Sequence, residues 1–174
     1  MKRVAIIGSA SGNGKTTLGK ELARRLRVPF HELDAFQHGP GWKEATVAEL
    51  RAAVEPLVAE DRWVIDGAYR GKLGDLVLAT ADVVVWLDLP MRIWLPRLVR
   101  RTVGRMVRRE ELWNGNRESL RGALGGRDAL IPYAIRCHFR RRRIYPSQLA
   151  RYPVVRLRSP EQVDRWLASV DTDR

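Results

Sequence analysis

Residues 8–17 read GSASGNGKTT. A lysine and a threonine at the mouth of a helix, behind small and flexible residues, suit polyphosphate chemistry. The ammonium of Lys15 can meet β- and γ-phosphate oxygens, and the Thr16 hydroxyl can ligate Mg²⁺. Gly12 and Gly14 allow a tight turn that aims several backbone N–H groups at one point, and the following helix adds the positive end of its dipole. The usual spacing is Gly, four residues, then Gly-Lys-Ser/Thr. Counting back from Gly14-Lys15-Thr16 places Ser9 at the first position, with Gly8 one residue early. That position needs only a small residue able to enter the turn, so Ser9 is acceptable, and Gly8 keeps the approach flexible. A phosphate cradle is expected over Ser9, Ala10, Ser11, Gly12, Asn13, Gly14, Lys15, Thr16 and Thr17. A bare strand-to-helix turn would also use glycines, but it would not need the intact Gly-Lys-Thr.

The elements that must hold this loop follow from periodicity. "KRVAIIG" reads as a buried strand, and Thr16 to Arg27 as a helix with Leu18, Leu22 and Leu26 on one side. "PFHEL" is a short second strand. Thr46 to Glu60 reads as a helix with Val47, Leu50, Val54 and Leu57 on one face, and Thr46 with Glu49 form a capping box. "RWVIDG" is a third strand, "KLGDLVLATA" a short helix, and "DVVVWLDLP" a strand covered on both faces. Arg-rich helical segments run to about Arg143; "YPVVRLR" is the last strand and "SPEQVDRWLAS" a capped closing helix. Strands alternating with helices imply parallel pairing between two helical layers.

Within the basic segment, Arg97, Arg101, Arg105 and Arg108 recur at helical spacing. Leu95, Leu98, Val99, Thr102, Val103 and Met106 occupy the other side, which is expected to pack. Pro96 is expected to kink this helix or to mark its start. Arg136 and Arg140 sit one turn apart and could close on phosphates.

With these residues in view, the chain resembles the adenylate kinase-like branch of small P-loop kinases, closest to the DNA topology modulation proteins, through "REELWNGNRESL". The resemblance implies a P-loop NTPase domain over residues 1–174, a three-layer α/β/α fold on a parallel five-stranded sheet, with an Arg-rich helical lid over about 92–143. It implies an ATP- and Mg²⁺-dependent phosphotransferase acting on a nucleoside, nucleotide or other small hydroxyl acceptor. "IDGAYR" is similar to the Asp-Gly-x-x-Arg stretch of nucleoside monophosphate kinases, which gives Asp66 to the Mg²⁺ and Arg70 to an acceptor phosphate. Ala68-Tyr69 stands where such kinases commonly have Phe-Pro. Leu33-Asp34 resembles the acceptor side, so Asp34 would take the hydroxyl proton, with Glu32 as the alternative. Arg101-x-x-Gly-Arg105 matches lid arginines that grip ATP. Asn116 would cap the helix that follows it, and Trp113 would pack rather than stack on a base.

Composition frames these readings. The chain has 174 residues and a net charge of +12. Residues 1–91 are neutral, with 12 basic and 12 acidic residues, whereas 92–165 hold 19 arginines against 6 acids, a net of +13. Such asymmetry points to an anionic partner, and weak nucleic-acid binding is the alternative to a kinase cleft. The discriminator is whether the basic residues converge on one cleft or form an exposed stripe. Arg140–Arg143 cannot all face one cleft. Cys137 is the only cysteine, so no internal disulfide forms. The apolar run near the start is too short for a signal peptide, and a cytoplasmic location without membrane association is the expectation.

Overall fold

The computed structural model describes residues 1–170; the last four residues of the expected domain lie outside them. Five apolar runs become strands: β1 (Arg3–Gly8), β2 (Phe30–Glu32), β3 (Trp63–Asp66), β4 (Val83–Leu87) and β5 (Val154–Leu157). All pair in parallel, in the order β2-β3-β1-β4-β5. The strands read as continuous apolar runs because both faces are covered. Val4, Ile6, Val64, Val85 and Leu87 face α1 (Lys15–Leu26) and α9 (Pro160–Ser169). Ala5, Ile7, Trp63, Ile65, Val84 and Trp86 face the other layer.

That second layer holds α3 (Val47–Ala59), α4 (Arg70–Leu73) and α5 (Leu76–Thr80), which contribute Leu50, Val54, Leu73, Val77 and Leu78. The capping box at Thr46 forms as its spacing requires, with Glu49 accepting from the Thr46 N–H at 2.8 Å. The single helix expected from "KLGDLVLATA" is instead two. Gly74, at φ 61°, turns the chain between them, a conformation that costs glycine little. Between β2 and α3 lies α2 (Asp34–Gln37).

The basic segment forms α6 (Met91–Arg108), α7 (Leu120–Leu124) and α8 (Leu130–Gln148). Pro96 neither starts nor ends α6, which begins after Pro90 and runs on through it. The side expected to pack does so at Leu98 and Thr102 but not at Val99 and Val103. Trp94, Leu98 and Thr102 are buried, while Val99 and Val103 are 40% and 48% exposed. Trp94, with its large area, sets the buried side, and the stripe that follows it at i+4 and i+8 goes in with it. This side meets Ala10 of the loop after β1 and Ala134 of α8.

Two short turns of like construction face each other. In residues 38–44 a tight turn at Pro40–Trp42 is bracketed by a His38–Glu44 bridge, and in residues 111–117 a tight turn at Trp113–Gly115 is bracketed by a Glu111–Arg117 bridge. Asn116 accepts the Trp42 N–H at 2.8 Å and donates to the Gly39 carbonyl at 2.9 Å; Asn114 donates to the His38 carbonyl at 2.7 Å. Asn116 therefore clasps the facing turn, and Ser119 caps α7 in its place. Trp113 packs as expected, with its ring stacked 6.0 Å from His38 and edge-on to Trp42 at 6.5 Å.

Candidate active site

The loop from Gly8 to Gly14 leaves the C-terminal end of the central strand, where an open parallel sheet presents its crevice. Gly12 and Gly14 have φ of 82° and 87°, a region costly for residues with a Cβ. At Gly12 space forbids one as well: a Cβ there would lie 2.8 Å from the Trp94 carbonyl of α6. Ser9 is absent from the positive-φ residues, so no glycine is required there. Its Oγ donates to Asp88 at 2.7 Å and accepts from Trp86 Nε1 at 3.0 Å. Gly8 provides room rather than flexibility, since a Cβ would sit 3.1 Å from the Lys15 stem. Asn13 steadies the turn by donating to the Ala10 carbonyl at 3.0 Å. Gly14 is the residue before α1, so the first N–H groups of that helix open toward the crevice.

Acidic groups gather opposite. Lys15 Nζ lies 3.3 Å from Asp66, whose side chain is 4% exposed. Burial alone would lower the Lys15 pKa, but the charges of Asp66 and Asp34 outweigh it and hold the ammonium above its ordinary value. The Thr16 hydroxyl is 2.7 Å from Asp66 and 3.1 Å from Glu32, and its one proton serves either in turn. Asp34, expected to take the hydroxyl proton, and Glu32, its alternative, have different partners. Glu32, at the end of β2, faces Thr16, whereas Asp34 opens α2 and accepts the Tyr69 phenol at 2.5 Å.

A hydroxyl and two carboxylates are hard oxygen donors of the kind Mg²⁺ takes, so Thr16, Asp66 and Glu32 fit that ion. Among the described residues no group of three or more His, Cys, Asp or Glu side chains forms a metal cage. Mg²⁺ sites completed by water and phosphate need none.

Tyr69 occupies the left-handed region at φ 41°, uncommon for a bulky residue and frequent at functional sites. Burial, then the Asp34 charge, push its phenol pKa well above the ordinary value, so it stays a donor to Asp34.

The arginines divide. Partial desolvation, then Arg105, lower the Arg101 pKa, while Glu118, Asp34 and Glu32 act against the fall; Arg101 is exposed, with these acids within electrostatic range. Arg105 does not join it. It bonds Glu118 at 3.1 Å and pairs with Glu110 at 3.5 Å, acids that the turn after α6 returns onto it. Arg70, expected to face an acceptor, instead bonds Asp75 at 2.9 Å and Gln148 at 2.8 Å. The Gly74 turn brings Asp75 back onto it.

Of the α8 pair expected to close on phosphates, Arg136 bonds Asp128 at 2.7 Å and the Arg127 carbonyl, and Arg140 is exposed. The inward residue is Arg141, which donates to the Gly8 carbonyl at 3.1 Å beside Lys15. Helical spacing alone named a pair, but the register of α8 over the loop decides which one turns in. Asp88 is the site residue that sequence reasoning passed over. The signal available was a single acid ending an otherwise apolar strand.

No family model matches the chain, and no curated protein matches it significantly. Solved structures do. Shikimate kinase from Bacteroides thetaiotaomicron superposes with a TM-score of 0.58 at 18% identity, over 96% of this chain and 94% of that one. Deoxyadenosine kinase from M. mycoides with bound dCTP gives 0.53 at 12% identity, over 97% and 98%. A gluconokinase from Sinorhizobium meliloti 1021 gives 0.53 at 19% identity, over 96% and 91%. The chain has the α/β fold of the small P-loop kinases, with a five-stranded, all-parallel sheet.

Proposed function

We propose that this protein is an ATP- and Mg²⁺-dependent phosphotransferase whose acceptor is a small molecule bearing a hydroxyl. The observation that carries the reading is one cluster in which Lys15, Thr16, Asp66 and Glu32 meet, with Asp34, held by Tyr69, close enough to act on Lys15. Mg²⁺, when held by Thr16, Asp66 and Glu32, would neutralise charge on the β- and γ-phosphates. The N–H groups of residues 9–17 and Lys15 would cradle those phosphates. Asp34 Oδ1 is occupied by Tyr69, which leaves Oδ2 to take the acceptor proton. The acceptor oxygen then bonds to the γ-phosphorus as its bond to the β,γ-bridging oxygen breaks, and ADP leaves. Arg101 would meet charge spread over the transferring group.

In this reading residues 92–143 act as the lid of one domain, and closure excludes water and suppresses ATP hydrolysis. The acceptor class stays at nucleosides, nucleotides, sugars and hydroxy acids. Arg70 is engaged by Asp75, so an acceptor phosphate has no claim on it without breaking that pair. Placement beside the DNA topology modulation group belongs to this proposal and rests on "REELWNGNRESL". A cleft ligand is favoured by Arg141, which reaches the Gly8 carbonyl, and Arg142, which pairs with Asp88 beneath the loop; Arg97, Arg100, Arg108, Arg109, Arg140 and Arg143 are exposed and belong to the nucleic-acid alternative.

The test is a thermal-shift screen of the four acceptor classes with a non-hydrolysable ATP analogue and Mg²⁺, then acceptor-dependent ADP release. Stabilisation by the analogue and ADP release with one acceptor class are expected. Failure of the analogue to stabilise the protein refutes the reading.

A further inference from the structure

Beneath the phosphate loop lies a network that the transfer chemistry does not use. Asp88 follows β4, is 1% exposed, and is anchored by its N–H to the Leu157 carbonyl at 2.8 Å. Its two oxygens have different clients. Oδ2 accepts from Arg156 of β5 at 3.0 Å from Nε and 2.6 Å from Nη2. Oδ1 accepts from Ser9 of the loop at 2.7 Å and pairs with Arg142 Nε of α8 at 3.2 Å. The Arg156 guanidinium lies 4.0 Å over the Trp86 ring, whose Nε1 donates to Ser9 at 3.0 Å. Arg141, the residue next to Arg142, reaches the Gly8 carbonyl. The carboxylate is held by three donors because, with its side chain 0% exposed, leaving it unpaired is costly.

We propose that Asp88 is a positioning residue that couples the seating of α8 to the shape of the phosphate loop, through Ser9 and Arg142 on the same oxygen. The inference rests on the phosphate-binding reading above. Ser9 is then more than a tolerated replacement for glycine: it is the handle by which the last long helix sets the loop. The coupling has a sign that separates it from plain electrostatics. Removing the negative charge of Asp88 from beneath bound phosphates would, by Coulomb's law alone, tighten anion binding. Positioning predicts the reverse.

The experiment measures the affinity of N-methylanthraniloyl-ATP with Mg²⁺ by fluorescence titration, with urea midpoints recorded on the same proteins. Ser9→Ala and Arg142→Met are each expected to weaken binding by at least about tenfold, in keeping with a lost hydrogen bond to a charged group. The double variant is expected to be no weaker than either single one, because both break the same junction. Asp88→Asn is expected to weaken binding at least as much. Multiplying effects in the double variant, or tighter binding by a folded Asp88→Asn protein, would overturn the proposal. If Asp88→Asn does not fold, the Ser9–Arg142 cycle decides alone. Absence of binding by the wild type would overturn the phosphate-loop reading itself and the coupling with it. Wild-type binding left unchanged in every variant would overturn the coupling only.

Discussion

Replacing Lys15 by alanine removes the counter-charge of a nearly buried acid, so it perturbs fold and function together. Asp66 is 4% exposed and Lys15 is 23% exposed, 3.3 Å apart. Deleting one partner of a buried pair costs roughly 3–5 kcal/mol. The residual exposure of Lys15 places the cost near the lower end, about 3 kcal/mol. For a chain of this size each kcal/mol moves Tm by about 2–4 °C, so the variant should melt about 6–12 °C lower yet remain folded. Circular dichroism melts read this directly. The pH dependence has a fixed direction. The folded-state pKa of Lys15 is raised, so its contribution is fully present below the unfolded value of about 10.4. It is lost as pH rises through the higher folded value. The gap between wild type and variant should therefore be constant through neutral pH and close in strong alkali. Calorimetric titration with an ATP analogue and Mg²⁺ should give no measurable affinity in the variant. Unchanged Tm together with unchanged affinity would refute the assignment of Lys15 to the crevice.

Asp34→Asn should bind ATP normally and lose transfer, whereas Tyr69→Phe should keep transfer at a rate roughly tenfold lower, since the phenol orients the base through one charge-assisted bond; rapid-quench assays separate binding from chemistry. Arg101→Ala should lower kcat/KM by at least about tenfold, and Arg105→Ala should lower Tm instead, by leaving Glu118 without its cation; steady-state rates and melts distinguish the two. Replacing Arg140 and Arg143, both exposed, should leave nucleotide affinity unchanged and reduce the salt slope of any DNA binding by about one unit per lost phosphate contact, measured by anisotropy across salt concentrations.

Much of this architecture can be read from the chain because its signals are local. The Gly-Lys-Thr at residues 14–16, the capping box at Thr46 and the apolar run at 83–87 each carry their meaning within a few residues. What escaped reading depends on distant partners. The hydrogen-bond partner of Ser9 is Asp88, 79 residues away. Arg70 has the spacing of an acceptor clamp, and only the turn at Gly74 reveals that Asp75 folds back onto it. Periodicity places Val99 and Val103 opposite the arginines, but the bulk of Trp94 decides which side of α6 is buried. Asn116 has the composition of a cap, and its true partners lie in the turn at 38–44.

The sheet order has a consequence for the order of synthesis. The loop at residues 8–14 leaves the ribosome before the strands that flank and floor it, beside a central strand whose two neighbours are drawn from residues 63–66 and 83–87. Its floor is completed by Arg156 on β5, the last strand among the described residues. Chains fold as synthesis proceeds, and distant pairings form late. A nascent chain stalled before Val154 would carry the whole cradle sequence with Asp88 lacking its main cation. On the proposed function, the loop made before these strands would become competent only after the last of them, and nucleotide capture would report that the strand at the far edge had docked.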